Sequence, residues 1–314
     1  MASLLSAAEE GSYAVGAFNC SSVDQVACVV QTANELRSPV IVQAIAGMAP
    51  TADSTFWALA RKLIELEAEV PVALHLDHGR TFEDCQAAVD AGFTSVMRDA
   101  SRDSTTGEPL SLEANIAETL RVVELAKAAG VTVEGEIGTV GGGGEGTTGE
   151  FGAFDYAVTT VADALRFAQE TKVDAMALAV GTSHGAVKFP PGQQPELHFE
   201  LIEEVHGSLP HVALVLHGSS SVPPQLVERI NATGGVVASS VGITVEDKKR
   251  AIQLGVRKIN QGTDSHLGWT ASAREHLSDR RGEVDPVGCL QAGMRGMSEA
   301  VAAAMRVFGS AGRV

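Results

Sequence analysis

Eight short apolar runs alternate with segments of helical periodicity, most of the runs are apolar on both faces, and polar residues gather at their ends. Together these predict an α/β protein: a closed TIM (β/α)8 barrel with an extra C-terminal helical segment. The 314 residues suffice for one such barrel, which takes ~250 plus insertions. No linker divides them, so residues 1–314 read as a single barrel domain.

The strand-like runs are 13–19 (YAVGAFN), 39–45 (PVIVQAI), 71–77 (PVALHLD), 93–99 (FTSVMRD), 131–137 (VTVEGEI), 173–180 (VDAMALAV), 211–217 (HVALVLH) and 256–260 (VRKIN). Helical periodicity fills 23–37, 55–69, 82–91, 112–129, 161–171 and 195–206. These segments begin near Ser, Thr, Asp or Pro and several end near Gly, as at Ser111 and Gly130. Strands separated by helices imply parallel crossovers. An open doubly wound sheet is the rival, but its dinucleotide-binding form expects GxGxxG after the first strand, and that position reads AFNCSSVD. The run 286–308, rich in Ala and Met, lies beyond the eighth strand as an extra helix against the barrel or a second subunit. The stretch 141–150 (GGGGEGTTGE) reads as a mobile loop.

Composition narrows the function. A net charge of −16 argues against nucleic acid and against an anionic membrane surface. No apolar run approaches the ~20 residues of a membrane span. The start, MASLLSAAEEGSY, has no basic region and carries two glutamates, unlike a secretory signal. Four cysteines without CxxC spacing point to a reduced, cytoplasmic protein.

Asp77, His78, Glu134, Glu136, His184, His217 and Asn260 all fall at the C-terminal ends of strand-like runs. In a parallel barrel those ends share the face where active sites form. A lone strand-end histidine reads as structural; three of them with a glutamate read as a four-coordinate site for a divalent transition ion, most often zinc. His75, facing opposite to Leu74 and Leu76, reads as structural, and His198, His206, His211, His266 and His276 as surface or structural. The turns GTSHG (181–185), HGSSS (217–221) and NQGTD (260–264) place glycines, hydroxyls and backbone amides beside the ligands. Such amide concavities bind phosphate without lysine or arginine, which allows an anionic substrate on an acidic protein.

The motifs AFNC, LDHG, GFTSVM, EGEIGTVGG, GTSHG, LVLHG, KIN followed by TD, and the closing VFGSAG occur in this order through nearly the whole chain. In combination they resemble the class II, metal-dependent ketose-bisphosphate aldolases. The resemblance implies a TIM-barrel dimer or tetramer that cleaves a ketose phosphate to dihydroxyacetone phosphate and an aldehyde. It implies His78, Glu136, His184 and His217 as zinc ligands, or ligands of another divalent transition metal. It implies Asp77 as the acid/base at the C4 hydroxyl and Glu145, on the glycine-rich loop, as the group moving the proton at C3. Gly185, Gly218, Ser220 and Thr263 resemble the phosphate clamp, Asn19 and Asn260 the substrate-orienting amides, and Glu134 and Asp99 polar positions near the metal. Lys188 resembles a residue of the loop after the third metal ligand. Many members also bind Na⁺ or K⁺ near the phosphate turns. Lysine Schiff-base chemistry is the other aldolase mechanism, and its one candidate, Lys258, reads as a rim or structural residue.

Departures from the family pattern concern the far end of the substrate. Ile45 stands where fructose-bisphosphate members carry a phosphate-contacting serine, and Val287 where many carry an arginine. HGSSS replaces HGGSG, Arg98 stands at a usually apolar position, and the longer segment after it adds Arg102. Loss of the first two donors disfavours a second phosphate. A ketose such as 6-deoxy-6-sulfofructose 1-phosphate is the sharper expectation. Alternatives are an ordinary fructose- or tagatose-1,6-bisphosphate aldolase, a transaldolase-like transfer enzyme, and a non-catalytic metal-binding barrel.

Overall fold

Each of the eight apolar runs forms a strand: β1 (Val15–Asn19), β2 (Val40–Ala44), β3 (Val72–Gly79), β4 (Ser95–Arg98), β5 (Thr132–Ile137), β6 (Ala175–Leu178), β7 (Ala213–Leu216) and β8 (Val256–Asn260). In this computed structural model, which describes residues 1–141, 157–186, 188–193 and 195–314, the strands pair in parallel in chain order, and β8 closes on β1. The protein is therefore a closed eight-stranded TIM barrel.

The helices that follow the strands are α2 (Val23–Leu36), α3 (Asp53–Glu67), α4 (Phe82–Asp90), α5 (Leu112–Ala129), α6 (Val161–Thr171) and α7 (Phe199–Ser208). Their starts have local causes. Thr81 caps α4 in a reciprocal box with Asp84, and Ser111 and Thr160 accept backbone bonds at the starts of α5 and α6. The helix expected from residue 195 begins instead at Phe199, after His198 at the N-cap.

Four helices were not anticipated: α1 (Ala2–Gly11), α8 (Pro224–Ala232), α9 (Val245–Gln253) and α10 (Thr263–Asp279). The two between β7 and β8 are mostly polar and bury few residues: Val227 and Ile230 in α8, and Lys248, Ala251 and Ile252 in α9. In α10, small and polar residues such as Ser265, Gly268 and Ala271 are buried, which blurs its period. The segment expected at 286–308 is α11 (Pro286–Phe308), started by Pro286 and ended at Gly309 in the left-handed region. It crosses α10 closely: a Cβ on Gly268 would lie 2.4 Å from the Gly296 carbonyl oxygen.

Side-chain alternation sorts the strand residues into two environments. Phe18, Val42, Leu74, Leu76, Val96, Val133, Met176 and Leu214 belong to the apolar layer under the helices. The alternate residues fill the barrel interior. At its N-terminal end that filling is apolar, with Val15, Ala17, Ile41, Ala73, Ala175, Ala177 and Val215 packed against Leu4, Leu5 and Ala8 of α1. Toward the C-terminal end it becomes polar, and the candidate site is built there.

Candidate active site

Above the apolar plug lies a fully buried polar tier: His75 of β3, Ser95 of β4, Glu134 of β5 and Lys258 of β8. Lys258 Nζ donates to Glu134 Oε2 at 2.8 Å, and His75 Nδ1 lies 2.9 Å from Ser95 Oγ. Of the rim or structural positions expected for Lys258, the structure gives the second: it is inside the barrel, paired with a buried carboxylate. His75 Nε2 lies 3.6 Å from the same Oε2, and His217 Nε2 lies 2.8 Å from Glu134 Oε1. Burial would raise the Glu134 carboxyl, but Lys258 and His217 outweigh it and hold Glu134 ionised.

The next tier holds the candidate ligands. His217 Nδ1 lies 3.2 Å from His78 Nε2 and 4.0 Å from Glu136 Oε2. One ligating atom from each of His78, His184 and His217 lies within 4.8 Å of the others, and the same holds for His78, Asp99 and Glu136. Asp99 Oδ2 is 2.8 Å from His78 Nδ1, so Asp99 orients the imidazole and leaves Nε2 for the centre. Glu134 holds His217 Nε2 in the same way and leaves its Nδ1 for the centre. His184 Nε2 and Glu136 Oε2 are buried side-chain atoms without a hydrogen-bond partner among the described residues. Burial holds His217, and far more strongly His184, below the ordinary imidazole range, in the neutral form that ligates metals. Burial and the nearby Asp99 push Glu136 up to about 8. Burial opposes charge on His78, yet Asp77 and Asp99 push it well up, so this point of the barrel favours a positive charge. Converging neutral imidazoles, two orphaned buried atoms and surplus carboxylate fit a divalent transition cation.

Backbone shape serves the same centre. A register shift in the β3–β4 pairing falls between Leu76 and Gly79, and His78 has φ +48°, the left-handed region that a non-glycine residue enters at a cost. Gly218, with φ +60°, follows His217; a Cβ there would fall 2.8 Å from Ser183 backbone atoms, so only glycine lets the loop after β7 press against the one carrying His184.

Asp77 adjoins the ligands and is fully buried. Three amides hold it: Asn19 Nδ2 (2.8 Å) and Gln43 Nε2 (3.0 Å) donate to Oδ2, and Asn260 Nδ2 (3.0 Å) to Oδ1. Burial alone would raise its carboxyl, but His78, His217 and Lys258 draw it down to about 2. Sequence reasoning missed Gln43; its signal was a lone amide inside the apolar run VIVQA.

On the phosphate-turn side, Gly185 has φ +83° and Ser220 is buried. Thr263 opens α10, whose N-cap Gly262 provides no capping side chain. Lys188 Nζ donates to the carbonyls of Ser183 and, at 2.6 Å, Gly218, so an ammonium already lies among these turns. The extra hydroxyls of HGSSS are used internally: Ser219 donates to the Asn260 carbonyl and Ser221 to that of Ile243. Glu145 lies outside the described residues. Gly141, four residues before it, bridges Ser183 beside His184.

The three far-end positions separate. Ile45 lines a cavity of about 270 Å³ with Asn19, Cys20, Met48, His266 and Trp269. Val287, in the first turn of α11, is 53% exposed and is not among the residues lining that cavity. Arg98 is a correction: its guanidinium turns toward the helix layer, bonding the Gly79, Arg80 and Asp99 carbonyls and reaching Glu118 on α5. Position 98 has the parity of Val96, which faces the helices, so alternation sends it away from the barrel mouth. A larger cavity of about 730 Å³ lies between α3 and α4, and none of the candidate residues lines it.

The sequence profile of the family described as fructose-bisphosphate aldolase class-II matches residues 1–313. A fructose-bisphosphate aldolase from Nostoc sp. is 40% identical, over 98% of this chain and 89% of its own. A plasmid-encoded fructose-bisphosphate aldolase from Cupriavidus necator is 39% identical, over 99% of this chain and 93% of its own. Among solved structures, the YdjI aldolase from Escherichia coli K12 superposes with a TM-score of 0.74 at 25% identity, covering 100% of this chain and 98% of that one. By fold and by whole-chain sequence similarity, the chain belongs to the class II fructose-bisphosphate aldolase family, a family of lyases.

Proposed function

We propose that the protein cleaves a ketose phosphate reversibly to dihydroxyacetone phosphate and an aldehyde, using a divalent cation held by His78, Glu136, His184 and His217. The observation that carries this is the pairing of that converging ligand set with an ionised, amide-held Asp77 at its edge. The bound cation would supply Lewis-acid polarisation of the ketose oxygens. Asp77 takes the proton of the C4 hydroxyl, the C3–C4 bond breaks, and its electron pair moves toward the C2 carbonyl as the aldehyde leaves. Glu145 returns a proton to C3. Gly185, Gly218, Ser220 and Thr263 receive the phosphate through backbone amides and the start of α10, and Lys188 adds positive charge beside them. Asn19 and Asn260 hold Asp77 until substrate hydroxyls compete for it.

For the far end, the cavity beside Asn19 has no lysine or arginine in its lining among the described residues. That supports a terminus less demanding than a phosphate dianion, of which the sulfonate of 6-deoxy-6-sulfofructose 1-phosphate is one case. Fructose 1,6-bisphosphate is the second reading, favoured by the names of relatives 39–40% identical. Coupled detection of dihydroxyacetone phosphate, giving kcat/KM for fructose 1,6-bisphosphate, tagatose 1,6-bisphosphate and the sulfo analogue, tests both. A strong preference for a bisphosphate ends the far-end reading and leaves the aldolase. No release from any of the three, with cation present, ends the cleavage reading. The protein acts as a cytoplasmic homodimer or homotetramer; exposed Leu277, Val284, Val287 and Leu290 around the α10–α11 turn support a subunit contact, which light scattering checks.

A further inference from the structure

Arg98 is a buried cation at the end of a barrel strand, on the side where Val96 and Leu76 meet the helices. Its Nε has no partner, and its one ion pair, with half-buried Glu118, is long at 3.5 Å. By that balance an apolar side chain would serve stability as well. What the guanidinium alone provides is a cross-link. Nη1 meets the carbonyls of Gly79 (3.3 Å) and Arg80 (3.0 Å), the two residues after His78, and the carbonyl of Asp99 (2.5 Å). Those two backbone stretches carry the two halves of the His78–Asp99 pair, joined at 2.8 Å. The β3–β4 ladder shifts between Leu76 and Gly79, and His78 is in the left-handed region. Beyond the shift the ladder resumes at Gly79 and Arg98, where the Asp99 amide donates to the Gly79 carbonyl (3.0 Å).

We infer that Arg98 is a positioning residue for metal binding: it clamps the strained turn after His78 to the Asp99 backbone, and so fixes the direction of His78 Nε2. This rests on the metal-site reading above. A ring turned by a loosened partner binds metal more weakly, typically ~10–100-fold for groups that orient ligands.

The test is zinc affinity of the whole, metal-stripped protein, measured by competition with a chromogenic chelator. Arg98→Met, which keeps the length and loses the donors, is expected to bind zinc about 10–100-fold more weakly than wild type, with kcat/KM recovering at saturating zinc. Glu118→Gln leaves all three carbonyl bonds in place and is expected to stay within about twofold of wild type. A merely structural role would lower the melting temperature of Arg98→Met without moving the zinc affinity. Wild-type affinity in Arg98→Met, or equal weakening in Glu118→Gln, overturns the inference. If Arg98→Met does not fold, Arg98→Leu decides: it places an apolar, donor-free side chain on the side where Val96 and Leu76 meet the helices, and an affinity equal to wild type overturns the inference. A wild-type protein that binds no zinc removes the metal-site reading itself, which is a different failure.

Discussion

Lys258 and Glu134 form an ion pair at 2.8 Å, both fully buried, so each depends on the other. Lys258→Met strands the Glu134 carboxylate, and loss of one partner from a buried pair costs about 3–5 kcal/mol; urea unfolding of the variant measures it. Next to them, burial and Lys258 hold the His75 imidazole down, from an ordinary 6.5 to about 3. The unfolded chain therefore binds a proton below pH 6.5 that the native chain refuses until about pH 3, so this contribution to stability is lost as pH falls through that window. Between pH 7 and pH 5 wild type should lose about 2 kcal/mol more than His75→Asn. Equal losses by denaturant titration contradict it. Asp77 is the proposed acid/base: Asp77→Asn should lower kcat/KM by about 10²–10⁴-fold while zinc content stays that of wild type.

At the scale of elements, the glycine turns decide how closely the loops bearing ligands approach. Gly218→Ala forces a Cβ to 2.8 Å from the Ser183 backbone at φ +60°, driving apart the loops that carry His184 and His217. A weaker zinc affinity with the barrel still folded, by circular dichroism, is the expected outcome. The strands and six of their helices were legible in the sequence because each has a period or a cap of its own, as at Thr81 and Ser111. Helices α8, α9 and α10 were not, since α8 and α9 are mostly polar with few apolar residues to mark a face, and α10 buries small and polar residues. The ligand tier was legible because polar residues at strand ends stand out against apolar runs. Gln43 was passed over, and the place of Lys258 was left between rim and interior, because their meaning lies in partners on other strands, Asp77 and Glu134. Arg98 was misdirected because its chemistry was weighed without the face that alternation assigns it.

The molecule as a whole carries a formal charge of −16, yet its proposed substrate is an anion. The barrel resolves this by confining positive character to one mouth, with the start of α10, Lys188 and the proposed cation together. Among the described residues no helix is long and apolar enough to cross a membrane. The same mouth holds a cost that a cation would relieve: Glu136 Oε2 and His184 Nε2, buried and without a hydrogen-bond partner among the described residues. Zinc should therefore raise the melting temperature, by linkage of about 2.7 kcal/mol at a hundredfold excess over Kd. The most direct measurement is release of dihydroxyacetone phosphate by one preparation as isolated, after prolonged EDTA and dialysis, and after zinc is returned, with bound metal quantified at each stage. The account predicts about one ion per chain, activity lost with it and regained with it; full cleavage by metal-free protein would contradict it.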